Sequence, residues 1–170
     1  DPQKGGAAAA AAAAFLPENY HIHILGFGDN NQIAAISEVI NNTNESSRAE
    51  VTYDGFLQGD DFIGFLQKCQ IGLSTQDPTA LFNGTSFPSK ILTYLSNGLK
   101  VVTVRIPVVE ESAVGNAMFY YDKQEPETIA KAIIQCSDAK ESVNSCSLLN
   151  ELDNRFVREL AALLDKETSM

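Results

Sequence analysis

The stretch Ser86-Phe87-Pro88-Ser89-Lys90-Ile91-Leu92-Thr93-Tyr94-Leu95-Ser96-Asn97-Gly98-Leu99-Lys100-Val101-Val102-Thr103-Val104 reads as a helix that runs directly into a buried β-strand. Proline suits a first helical position because its missing N–H has no partner there, and glycine suits a left-handed helix exit. The spacing therefore predicts a helix from Pro88 to Asn97, closed by Gly98, and a strand over 100–104. A helix start carries unpaired N–H groups and the positive end of the macrodipole. Lys90 lies in that first turn, where helix electrostatics favours a carboxylate. A lysine there makes sense beside a bound phosphate.

Outward from this unit the chain alternates strand and helix. Strands are predicted near 21–25, 50–54, 71–75 and 118–121, with helices near 31–41, 60–69, 126–137 and 145–165. Short Ile-, Leu- and Val-rich strands alternating with helices of this length imply an α/β fold. The expectation is a Rossmann-like doubly wound parallel sheet with helices on both faces, whose ligands bind beyond the carboxyl ends of the strands. Ala7 to Ala14 form a run of strong helix formers, predicting a helix up to about Leu16. Leu149, Leu152, Phe156, Leu160, Leu163 and Leu164 recur at helical spacing and predict an apolar face packed on the domain's own sheet.

The bulk composition limits the partners. The 170 residues suit one domain over 1–170, with 145–170 as a C-terminal helix. The balance of 12 basic against 22 acidic residues gives a net charge of −10, unsuited to nucleic acid or anionic lipid. No apolar run has the length of a membrane span and no signal-peptide pattern opens the chain, so a cytoplasmic location is expected. Cys69, Cys136 and Cys146 show neither a disulfide framework nor a zinc spacing and read as buried or free thiols. Asn83-Gly84-Thr85 matches the glycosylation tripeptide, which means little without a secretion signal.

The Pro88-Ser89-Lys90-x-x-x-Tyr94-x-x-x-Gly98 segment before Val101-Val102 resembles the nucleotide-binding half of GT-B glycosyltransferases, of the family 1 and family 4 type found in bacteria. The resemblance extends, in the family's order, from Asp1-Pro2-Gln3-Lys4-Gly5 through His23-Ile24-Leu25-Gly26-Phe27-Gly28-Asp29 and Tyr53-Asp54-Gly55-Phe56 to Pro126-Glu127-Thr128-Ile129-Ala130. It implies a donor-binding domain whose first strand, which the family places before Lys4-Gly5, is missing here. It also implies metal-independent transfer from a nucleotide sugar, a UDP-sugar, to a glycan-type acceptor held by an N-terminal domain of the same protein. No cofactor is implied, and no catalytic residue is assigned in this chain. If the partner domain is absent, the C-terminal helix is expected to expose part of its face and to support self-association.

Further site residues follow from the resemblance. Lys90, Ser89 and Ser86 are expected at the diphosphate, with Lys4 reaching it from the opening loop; the plain alternative for either lysine is a solvated side chain. Many retaining members place two glutamates on the donor sugar and ribose, and the matching positions here are Thr85 and Thr93. A hydroxyl still hydrogen-bonds, but the charged grip on a diol is lost. Gly55 and Phe56 fall where the family forms its base pocket. Gly26-Phe27-Gly28-Asp29 lacks the third glycine of a dinucleotide fingerprint. His21 and His23 read as satisfied strand residues, and Glu110-Glu111-Ser112 as a solvated turn. The alternatives are a nucleotide-sugar epimerase of the same architecture and a non-catalytic Rossmann-like interaction module.

Overall fold

The computed structural model describes residues 5–79, 86–140 and 144–168, with side chains described up to residue 165. The described elements are α1 (Gly6–Ala11), a 3-10 turn (Ala12–Phe15), β1 (His21–Leu25), α2 (Asn30–Ser46), β2 (Glu50–Gly55), α3 (Gly59–Leu66) and β3 (Ile71–Ser74). They continue with α4 (Lys90–Ser96), β4 (Lys100–Val104), α5 (Pro107–Glu110), a 3-10 turn (Gly115–Ala117), β5 (Met118–Tyr121), α6 (Pro126–Asp138) and α7 (Ser145–Thr168). Thr85, Lys4 and the glycosylation tripeptide lie outside the described residues.

Local chemistry sets the element ends. The Asp29 carboxylate accepts from the N–H groups of Asn31 and Gln32, both at 2.9 Å, while Gln32 Oε1 accepts from the Asp29 N–H at 3.2 Å. This reciprocal capping box starts α2. The helix runs on through Asn42-Thr43-Asn44, residues that favour turns, because Asn44 gains better partners in β2. Its amide donates to Val51 O and accepts from Val51 N, each at 2.9 Å. α4 begins at Lys90, so Pro88 stands before the first helical residue instead of at it. Its end is as expected: Gly98, at φ +81°, donates to Leu95 O and Leu99 donates to Tyr94 O, both at 3.1 Å. That pair of bonds is a Schellman closure.

All strand pairings among the described residues are parallel, and helices flank them, which makes this an α/β Rossmann-like architecture. The single sheet expected from the sequence is, however, divided in two: β1 pairs with β2, and β3–β4–β5 form a second sheet. The core lies in the larger half. Val101, Val102 and Val104 of β4 are fully buried, covered by Ile129 and Ile133 of α6 and by Ile91 and Leu95 of α4. The alanine run packs closely: Ala10, Ala12 and Ala13 are fully buried where α1 and the turn after it meet α2 and α6.

The C-terminal helix corrects an expectation. Leu148, Leu149 and Leu152 join the core, but Phe156, Leu160, Leu163 and Leu164 are exposed. α7 packs on α4 through its first turns only, and the remaining turns have no sheet to cover. No described helix is long and apolar enough to cross a membrane.

Candidate functional site

The turns that follow the strands gather at the carboxyl ends of both half-sheets. Two of them meet the start of α1 at one point: Thr75 after β3 and Gln124 after β5 adjoin Gly5. Thr75 Oγ1 donates to Gly5 O at 3.1 Å, and Gln124 Nε2 donates to Thr75 O. Gly5 has φ +72°, and a Cβ there would stand 1.5 Å from the Thr75 carbonyl oxygen. Glycine is required on both counts.

Beside this junction opens a cavity of about 1080 Å³ between the two half-sheets. Its walls include Ile22 and Ile24 of β1, Leu73 of β3, Phe65 of α3, and, at the carboxyl ends, Thr75 and Lys90. Of the residues expected at a diphosphate, Lys90 thus lines the cavity. Ser86 and Ser89 are exposed just before α4, and Ser89 makes no side-chain cap to that helix. Thr93, one turn on, is half-buried, and its carbonyl accepts from Asn97 Nδ2 at 2.8 Å. Neither these three residues nor Gly55 and Phe56 form part of the cavity wall.

Phe56 faces outward and meets Phe27 edge-to-face, with ring centroids 5.1 Å apart. The two rings form an exposed aromatic pair after β2 and β1. Behind them Tyr53 donates its hydroxyl to Gly26 O at 2.8 Å, tying the two turns together.

Two other polar groupings have structural partners. His23 Nδ1 lies 3.0 Å from Asp54 Oδ2, and His21 Nε2 lies 3.1 Å from Thr52 Oγ1, so both strand histidines are satisfied across β1 and β2. No group of three metal-ligating side chains occurs among the described residues. Arg105 at the end of β4 is engaged by Glu110 and Asp122 and lies over the Tyr120 ring, 4.6 Å from its centroid. The hydrogen bonds it donates to Glu110 and then to Asp122 raise its pKa further. Glu110 is therefore held in an ion pair rather than a solvated turn.

Tyr94 lies across the carboxyl half of β3. Its ring occupies the space a side chain on Gly72 would need, and burial pushes its hydroxyl pKa up to about 12. Sequence reasoning missed Thr75 and Gln124, and quoted Tyr53 and Phe27 only as members of their turns. The available signal was Thr75-Gln76, a polar pair that stays buried directly after an apolar strand.

No family model matches the chain, and no curated protein does. Solved structures do. The chain is similar to HepE of Anabaena, solved in complex with UDP and glucose, with a TM-score of 0.65 and 17% identity, covering 95% of this chain and 45% of that one. It is also similar to a glycosyltransferase from Rickettsia africae, with a TM-score of 0.62 and 15% identity, covering 88% of this chain and 38% of that one. The shared feature is the fold, and the chain spans less than half the length of either structure.

Proposed function

We propose that this chain is the donor-binding half of a glycosyltransferase, taking a sugar nucleotide whose nucleotide is UDP and passing the sugar to an acceptor held by a separate lobe. The observation that supports it most is Lys90 on the cavity wall at the carboxyl ends of the strands. That is the place where doubly wound sheets take their ligands. The fold shared with two glycosyltransferases, one of them solved with UDP and glucose, points the same way.

In this reading the Lys90 ammonium meets the negative charge that builds on the departing diphosphate, with the hydroxyls of Ser86 and Ser89 and the Lys4 ammonium beside it. Fixed charges aimed at a leaving group stabilise the transition state more than the ground state. Thr93 and Thr85 hydrogen-bond the ribose and the donor sugar. Gly55 and Phe56 border the base, and the exposed Phe27–Phe56 pair offers it an aromatic surface. Transfer needs no metal in this scheme because the cationic side chains take that role.

Calorimetric titration with UDP tests the assignment. Lys90→Ala should weaken UDP binding about tenfold or more, as expected for loss of one charge-assisted contact, while the melting temperature stays within a degree or two. Equal affinity of the two proteins for UDP would overturn the role of Lys90. Absence of UDP binding by the unsubstituted chain at millimolar concentration would overturn the reading as a whole.

A further inference from the structure

α3 carries Phe62, Ile63, Phe65 and Leu66 within its eight residues, yet only Leu66 is buried. α6, by contrast, buries Ile129, Ala130, Ala132, Ile133 and Cys136. Phe62, Phe65 and Leu66 stand on the wall of the cavity of about 1080 Å³, so the apolar side of α3 faces open space instead of a packed neighbour. Protein interiors are close-packed, and apolar surface left beside a void still has free energy to gain from an occupant.

The two ends of this helix are held differently. At the carboxyl end Leu66 is buried, and Phe65 meets the His23 ring edge-to-face with centroids 5.1 Å apart. Gln67 Nε2 donates to Asn97 Oδ1 at 3.5 Å, and the exit turn closes with the Cys69 N–H on Leu66 O at 2.8 Å. At the amino end, among the described residues, no side chain from Leu57 to Asp61 bonds to another element. The segment that joins this end to β2 holds Gly55 at φ +74° and Gly59 at φ +57°. A Cβ on either would meet nothing within 4 Å, so the joint turns in open space. Glycine passes between left- and right-handed backbone without steric penalty, which suits both positions to a hinge.

We propose that α3 is a hinged lid over the donor cavity. It pivots on its anchored carboxyl-terminal end, and its amino-terminal end swings inward when a nucleotide is bound, laying the Phe62 ring onto the occupant. The identity of that occupant, a UDP-linked sugar, rests on the nucleotide-sugar reading. Closure gains contacts only when the cavity is filled, so occupancy shifts the helix by as much as those contacts are worth. Asp60 and Asp61 are exposed and off the cavity wall, so closure turns Phe62, and not their charge, toward the nucleotide.

Paired nitroxide labels test the motion, in a chain that also carries Cys69→Ser and Cys146→Ser. One pair, Asp61→Cys with Gln135→Cys on α6, spans the free end; the other, Lys68→Cys with Gln135→Cys, spans the anchored end. Saturating UDP should shorten the first separation by several ångströms and leave the second unchanged. In calorimetry Phe62→Ala should weaken UDP binding about tenfold, with little change in melting temperature, because the ring is covered fully only in the closed position. Ile63→Ala, off the cavity wall, should leave UDP binding unchanged. UDP binding with both separations unchanged would overturn the lid and leave the donor reading standing. Equal shortening at both ends would do the same, since a pivot moves only one. So would equal UDP affinity of Phe62→Ala and the unsubstituted chain, a comparison that decides alone if the labelled chains fail to fold. Absence of UDP binding at millimolar concentration would overturn the donor reading and the lid with it.

Discussion

β1 and β4 are parallel strands of five residues each, yet they sit in opposite surroundings. In β4 the four residues Val101 to Val104 are fully buried, whereas in β1 only Ile22 is buried. Both have helices above them. The difference is lateral: β4 has β3 on one side and β5 on the other, while β1 has β2 on one side and the cavity on the other. Burial in a parallel sheet thus depends on neighbouring strands as much as on the covering helices. Among the described residues the β1–β2 half therefore buries less of its apolar pattern than the β3–β4–β5 half does.

The sharpest way to break this contrast is to remove equal side chains from the two regions. Ile91→Ala beneath β4 should lose about 4 kcal/mol in urea denaturation, and Ile24→Ala beside the cavity about 1 kcal/mol. Equal losses would mean that the two halves are equally packed. A smaller effect, about 2 to 3 kcal/mol, is expected for Gly5→Ala, which forces a Cβ into the Thr75 carbonyl as well as straining a left-handed backbone. Gly55→Ala shares the positive φ but meets nothing within 4 Å. It should lose only about 1 kcal/mol, so the pair separates crowding from backbone strain.

Much of this was legible in the residues, and the reasons differ by element. β4 was placed to the residue because a run of valines between a helix exit and a turn has one reading. β1, with His21 and His23 alternating with Ile22 and Ile24, was also placed correctly. The split into two sheets depends on long-range pairing, which periodicity does not carry. The helix expected near 31–41 runs on to Ser46, past Asn44, whose partner Val51 lies in the next strand and out of reach of local periodicity. Lys90 stood out by its charge at a helix start, and what the structure adds is its place on the cavity wall. Thr75 and Gln124 were missed because their side chains donate to backbone carbonyls, of Gly5 and of Thr75, and no residue spacing records those.

Two finer measurements sharpen the comparison. Asn44→Ala should lose about 2 kcal/mol by leaving the Val51 backbone groups unpaired, with Asn44→Asp unable to restore the donor to Val51 O. The smallest effect is an alkaline one confined to the packed half. Burial pushes the Cys136 thiol up to about 11 from 9.0, with Lys100 opposing the rise, and raises the Tyr121 hydroxyl as well. These groups stay neutral in the folded chain after they have ionised in the unfolded one. Their contribution is complete below pH 9 and is lost as pH climbs through the folded values, with about 1 kcal/mol gone by pH 10 from Cys136. Cys136→Val should flatten that decline, and Cys146→Ser, at an exposed thiol, should leave it unchanged.

Lys100 opens β4, and its ammonium donates to the carbonyls of Cys136 and Ala139, both at 3.0 Å, at the tail of α6. One cation therefore pins strand and helix together at the floor of the larger half, opposite the end where Lys90 lies. Strand and helix cannot slide past one another at that floor without giving up both bonds.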